Sequence, residues 1–130
     1  MPVSGLAIIV AAVVNMIIGM AWYSQYLFGN LWLKLIGKKQ QELMKDASRT
    51  YSASTVAALV TSAMLAFFTR LAQASSVMDG MRIGFLAWLG FVATSTLSAY
   101  LFEGRPMKLY IIYNTYQLVA FLAMGAILGA

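Results

Sequence analysis

The stretch LFEGRPMKLY, Leu101 to Tyr110, separates two long apolar runs and carries Glu103, Arg105 and Lys108 close together. Gly104 suits the left-handed position just past a helix end. Pro106 suits the first turn of a helix, where its missing N–H costs nothing. The residue before a proline avoids the helical region, so the chain is expected to turn at Arg105. Read this way, the stretch is a tight hairpin, and the helices on either side must pack antiparallel.

Working outward, each flanking run has about the 20 apolar residues needed to cross a hydrocarbon layer. Four such segments are expected, at Leu6–Phe28, Tyr51–Leu71, Met81–Phe102 and Leu109–Gly129. Composition agrees. The chain has 130 residues, 62% of them apolar and only 10% charged. A soluble domain carries about 25% charged residues. The expected fold is an all-α integral membrane protein, one domain over residues 1–130, in which a four-helix bundle forms from two antiparallel hairpins. Polar positions do not alternate as they do in a membrane barrel. The first apolar run lacks a basic leader and a small-residue cleavage site, so it reads as a retained helix.

Seven of the nine basic residues fall in the first and third connections: Lys34, Lys38, Lys39, Lys45, Arg49, Arg105 and Lys108. Arg70 and Arg82 lie on the opposite side. The bias of Lys and Arg toward cytoplasmic loops then puts both termini outside a plasma membrane, with anionic headgroups as partners of the basic loops. The basic balance is accounted for without nucleic acid. The first connection, residues 29–50, is expected to be amphipathic. Leu31–Ile36 would lie in the interface with Trp32 as anchor, Gly37 would break it, and Lys38–Ala47 would form one short polar helix.

The chain has no Cys and no His, which removes thiolate chemistry, the commonest metal ligand and the usual base near neutral pH. No carboxylate falls deep in an apolar run, and no metal site or cofactor is expected. Enzymatic function is accordingly not expected. The neutral polar residues carry more information. Gln25, Ser98, Asn114 and Gln117, with Tyr26 and Tyr100 at the mouth, define a candidate polar pocket between the first, third and fourth segments. The bland alternative is that these groups bond one another and leave no void. Glu103, Arg105 and Lys108 form a candidate charge cluster at the interface, with Glu103 also accepting from a nearby loop or tyrosine. Small residues mark expected close contacts: Ala11, Asn15 and Gly19 on the first segment, Gly80 and Gly84 on the third, Gly125 and Gly129 on the fourth. SQYLF (Ser24–Phe28) and SAYLF (Ser98–Phe102) suggest a faint internal repeat.

WYSQYLFG (Trp22–Gly29), GFLAWLGFVATSTLSAYLFEGRP (Gly84–Pro106) and MGAILGA (Met124–Ala130) together resemble a family of small, mainly bacterial membrane proteins known as domain of unknown function 1761. Thr94 stands where relatives are expected to carry a proline. The resemblance covers nearly the whole chain and implies a four-helix membrane fold; it brings no activity or catalytic residue with it. From the residues, the expected role is a non-catalytic membrane oligomer or accessory subunit of a membrane complex. The alternative is a small-solute channel or uncoupled carrier with a cytoplasm-facing pocket.

Overall fold

The computed structural model describes residues 5–130, apart from the side chains of Gln40 and Leu43. Every regular element among the described residues is helical. In chain order these are α1 (Gly5–Trp22), α2 (Gly29–Ile36), α3 (Gln40–Met44), α4 (Ala47–Leu71), α5 (Val77–Ala87), a π-helical segment (Trp88–Ala93), α6 (Thr94–Glu103) and α7 (Met107–Gly129). The π segment joins α5 to α6, so Val77–Glu103 is one long helix. Four helices are long and apolar enough to cross a membrane: α1, α4, Val77–Glu103 and α7. They pack around α7, which touches every other long helix and most extensively α5.

The hairpin at Leu101–Tyr110 closes as its residues require. Gly104 has φ 67°. Its N–H donates to the Leu101 carbonyl at 3.3 Å and the Arg105 N–H donates to the Tyr100 carbonyl at 3.0 Å, the pair of bonds that ends a helix in a Schellman motif. The apolar contact that usually accompanies this motif is replaced by the Arg105 guanidinium, 4.4 Å from the Tyr100 ring centroid. Pro106 then caps α7 with an extended ψ of 137°.

The connection between α4 and α5 ends α4 by the same motif but without glycine. The Gln73 N–H reaches the Arg70 carbonyl and the Ala74 N–H reaches the Thr69 carbonyl, while Gln73 itself sits at φ 57°. A left-handed conformation disfavours any residue with a Cβ by about 1–2 kcal/mol. Gln73→Gly is therefore expected to stabilise the protein by about 1 kcal/mol, read as a raised thermal midpoint in detergent. Across that connection Ser76 caps α5, accepting from the Asp79 N–H at 3.1 Å. Asp79 Oδ2 in turn accepts from the Ser75 N–H at 3.2 Å. Asp79 is thus used in capping.

Several boundaries differ from the sequence expectation. The first long helix stops at Trp22 and not at Phe28. Ser24 turns its hydroxyl onto the Ala21 carbonyl at 2.7 Å, the local competition with helix bonding that serine favours. The Gly29 N–H closes the turn on the Ser24 carbonyl at 2.8 Å. SQYLF is consequently a run of turns, whereas SAYLF is the helical end of α6; the repeat of letters is not a repeat of conformation. The polar helix expected over Lys38–Ala47 is only α3: Lys38 and Lys39 lie before it outside any helix, Lys45 and Asp46 form a turn, and Ala47 already opens α4, which begins four residues early.

The far end of the molecule, at the α4–α5 connection, is the tight end. A Cβ on Gly80 would overlap the Gly125 carbonyl oxygen, and one on Gly84 would overlap the Phe121 carbonyl oxygen. One on Gly129 would lie 2.6 Å from the Ser76 carbonyl oxygen. Backbone therefore lies on backbone along the α5–α7 contact. Beside it, Ala11, Leu65, Ala66, Ala87, Ala120, Phe121, Met124 and Leu128 make the buried core. Ser62, fully buried on α4, donates to the Ile8 carbonyl of α1 at 2.7 Å.

Candidate functional site

At the opposite end the helices diverge. The residues of α4 from Arg49 to Ala57 are all exposed, whereas from Ala58 onward every third or fourth is buried. Helix α4 therefore leans on α1 and α7 only through its second half. The wedge left beneath its first half is a cavity of about 820 Å³, within the size range of small-molecule sites.

Most of its wall comes from four helices, with Met44 of α3 added at the edge. From α1 come Asn15, Met16, Gly19 and Met20; from α7, Tyr116 and Gln117. From α4 come Thr50, Tyr51, Ser54, Ala58 and Thr61, one stripe at helical spacing. Tyr23 and Gln25 in the turn after α1, and Asn30, Trp32 and Leu33 on α2, complete it. Helix α2 is amphipathic and folds back across the opening. Its start is fixed by Gly29, which is buried with no room for a Cβ against the Tyr23 carbonyl oxygen, and its end by Gly37 at φ 70°. Trp32 packs its ring 4.9 Å from that of Tyr23; it is part of the cavity wall, where the sequence suggested an interfacial anchor. Asn15, the deepest polar group, lies seven residues before the end of α1, about 10 Å along the axis.

The polar groups in this cavity are neutral and only partly engaged. Asn15 Oδ1 accepts from the Tyr116 hydroxyl at 2.6 Å; among the described residues its amide N–H groups have no partner. Gln117 Nε2 donates to the Tyr113 hydroxyl at 3.1 Å, which leaves its Oε1 free to accept. None of the lining residues is Asp, Glu, Lys or Arg. Burial, reinforced by the neighbouring phenols of Tyr100, Tyr113 and Tyr116, holds the Tyr23 hydroxyl well above the ordinary tyrosine range, so it remains a neutral donor. The site can hold an uncharged molecule that both accepts and donates hydrogen bonds. It offers no general base and no nucleophile with one. Among the described residues no group of His, Cys, Asp or Glu could hold a metal ion.

The six residues expected to form a pocket are not brought together. Gln25 and Gln117 line the cavity. Tyr26 is 86% exposed and Ser98 is also exposed. Tyr100 is buried, edge-on to Tyr110 at 5.7 Å. Asn114 is buried and faces the third long helix, donating to Thr96 Oγ1 at 3.0 Å. It is interhelical glue. The cavity therefore lies between α1, α2, α4 and α7, and the third long helix is not part of it. Helix α4 is not evident from the sequence because, beside Tyr51 at its end, its polar lining is the modest set Thr50, Ser54 and Thr61; their helical spacing with Ala57 and Ala58 is the available signal. Of the packing residues, Asn15 and Gly19 have a second role as cavity wall. A Cβ on Gly19 would come 3.1 Å from the Tyr116 hydroxyl oxygen.

The charge cluster is loose. Glu103 and Arg105 approach to 3.9 Å, with side chains 60% and 42% exposed, and such a pair contributes little. Among the described residues Arg105 is the partner of Glu103, and no loop or tyrosine donates to it. Lys108 is exposed.

A second structural feature was not foreseen. The π segment Trp88–Ala93 precedes the residues Thr94, Ser95 and Thr96, whose hydroxyls turn back onto the carbonyls of Gly90, Phe91 and Val92. The Tyr110 hydroxyl takes the Ala93 carbonyl at 2.8 Å. A change from α to π hydrogen bonding disturbs the regular ladder, and here every carbonyl at the exit has a side-chain donor. The Trp88 indole donates to the Asn114 carbonyl at 3.1 Å, fastening the segment to α7. In the WYS motif, Trp22 does likewise to the Ile112 carbonyl at 3.0 Å.

The family model described as "Protein of unknown function (DUF1761)" matches residues 6–129. The chain belongs to the DUF1761 family. The match extends over every element that builds the cavity, including α2 and the Trp22–Gly29 turn that positions it, so the cavity lies wholly within the DUF1761 region. No curated protein and no solved structure matches the chain.

Proposed function

We propose that this protein spans the bacterial plasma membrane four times with both termini outside, and that it is a non-catalytic receptor or uncoupled carrier for a small uncharged molecule. The observation that carries the reading is the 820 Å³ cavity with neutral, partly unengaged polar groups and no ionic residue in its wall. A charged solute would have to leave its hydration there without a counter-charge, which is strongly unfavourable. The apolar core and the α5–α7 backbone contact close the far end, so a continuous channel through one chain is disfavoured. Occupancy from one side by a carrier or receptor fits better than conduction. This ranks the solute-binding role above that of oligomer or accessory subunit, the class first suggested by composition.

Orientation rests on the basic residues. Lys34, Lys38, Lys39, Lys45 and Arg49 are all exposed beside the cavity mouth, where anionic headgroups of the cytoplasmic leaflet would lie against them. Cysteines introduced singly at positions 39 and 105 should be protected from an impermeant thiol reagent in intact cells, and one at position 79 should react. The reverse pattern overturns the orientation. The native chain has no Cys to confuse the result.

Binding is tested by thermal stability of the purified protein in detergent, with 1-monobutyrin as an uncharged hydroxyl- and carbonyl-bearing probe and butyrate as its charged counterpart. Monobutyrin should raise the midpoint and butyrate should not. Gln117→Leu should weaken the monobutyrin effect about tenfold, corresponding to about 1.4 kcal/mol. No stabilisation by monobutyrin, or equal stabilisation by butyrate, would remove the reading.

A further inference from the structure

A second, smaller space lies on the other side of α4. It is a groove of about 310 Å³ between α4, the π segment and α7, lined by Val60, Met64, Leu65, Phe68, Phe91 and Phe121 among others, and apolar apart from Thr61. One residue, Thr61, lines both the groove and the polar cavity. Its hydroxyl, like that of Thr50 elsewhere in the cavity wall, differs from the other threonine hydroxyls of the molecule. Thr55, Thr69, Thr94, Thr96 and Thr115 each turn theirs onto a carbonyl of their own helix, the ordinary fate of a helical threonine in an apolar setting. Among the described residues the Thr61 hydroxyl has no partner. Polar cavity, unengaged hydroxyl and apolar groove thus follow one another around α4.

We propose that the two spaces form one bipartite site for a membrane amphiphile with an uncharged, hydroxyl-bearing head and a single hydrocarbon chain, of the monoacylglycerol or long-chain alcohol class. The head lies in the cavity against Asn15 and Gln117, and the chain passes Thr61 into the groove. This rests on the reading of the cavity as a site for an uncharged molecule and adds the chemistry of that molecule and its route. Three features select this occupant over a water-soluble solute. The cavity wall has no ion to bind a phosphate or carboxylate. The groove is apolar and open toward the lipid-facing side, marked by the exposed Val60, Met64 and Phe91. Helix α2 lies across the other mouth, so the lateral path past Thr61 is the one a molecule already dissolved in the bilayer would use. The groove does not supply affinity over lipid, since apolar contacts there replace equivalent contacts with acyl chains. It supplies a place for the chain while the head makes its hydrogen bonds.

The test uses the full chain in liposomes of zwitterionic phospholipid, with a monoacylglycerol carrying a diazirine near the end of its chain. After irradiation, labelled positions are mapped by mass spectrometry. Labelling should concentrate on the segments 60–68 and 87–92. An excess of unlabelled monooleoylglycerol should reduce it at least fivefold, and oleate or lysophosphatidylcholine should not. Met64→Trp, which fills the groove from a position outside the cavity wall, should disperse the labelling over the lipid-facing surface while monobutyrin still stabilises that variant. Thr61→Val, which keeps the shape of the junction, should retain the pattern. If monobutyrin binds but the chain labels all lipid-facing residues alike, the bipartite site is wrong and the cavity reading stands. If neither compound competes or stabilises, both are wrong.

Discussion

Adding one methyl group to Gly80 should separate α5 from α7 and lower stability by about 3 kcal/mol or more. The argument is steric. The new Cβ would fall on the carbonyl oxygen of Gly125, and a backbone carbonyl inside a helix cannot rotate away as a side chain would. Relief requires the helices to move apart along their whole contact, which also frees Gly84 and Gly129 from their neighbours. Ordinary overpacking in a core is unfavourable by about 1–3 kcal/mol, and this case belongs at or above the upper end because no flexible group can yield. Gly90 provides the internal control, since a Cβ there would meet nothing within 4 Å. Gly90→Ala should be neutral or slightly stabilising, by up to about 1 kcal/mol from helix propensity. Thermal unfolding in detergent for the two variants decides the matter; similar midpoints would refute the close approach at Gly80.

Gly29→Val should be nearly as damaging and should also remove the cavity. Gly29 is buried where the chain reverses between α1 and α2. A side chain there meets the Tyr23 and Ser24 carbonyls, the latter also the acceptor of the Gly29 N–H. The turn must open, and α2 loses its seat across the mouth. A loss of about 2 kcal/mol is expected, at the level of a local backbone conflict. The sharper expectation is functional: monobutyrin should no longer stabilise the variant, because Trp32, Leu33 and Asn30 move with α2. If Gly29→Val is destabilised yet binds monobutyrin as the parent does, α2 is not part of the site.

The hairpin at Leu101–Tyr110 was legible because its determinants are local. Glycine at the helix end and proline at the next start act within a few residues, and the structure adds only the stacking of Arg105 on Tyr100. The four long apolar helices were legible for a similar reason, since length and hydropathy are properties of a segment by itself. The rotation of each helix was not. In lipid both the packed face and the exposed face are apolar, so the pattern that reveals a buried face in a water-soluble helix is faint. Asn114 and Gln117, less than one turn apart, show the consequence. One faces the third long helix and binds Thr96, and the other faces the cavity. The participation of α4 was hidden by its modest residues, serine, threonine and alanine, which become informative only when the opposing Asn15 and Tyr116 are known. The early stop of α1 depends on a serine hydroxyl competing for one carbonyl, a contest that helix propensity and apolar length do not register.

The π segment has a bearing on how the third long helix can vary. Each of its hydrogen-bonded loops encloses one residue more than an α-helical loop, so it acts as an insertion absorbed without a bulging chain. Removing one residue between Trp88 and Ala93 would be expected to restore a continuous α-helix and to leave everything beyond it in nearly its present phase, because the wider loops already take up that residue. The glycines that seat α5 on α7 would keep their places, and so would Thr96 against Asn114 and Tyr100 against Tyr110. A deletion in the α-helical part before Thr96 would instead turn the rest of the helix by about 100°, the angle of one residue at 3.6 per turn, so the six residues WLGFVA are where this helix can lose a residue without re-phasing its two halves.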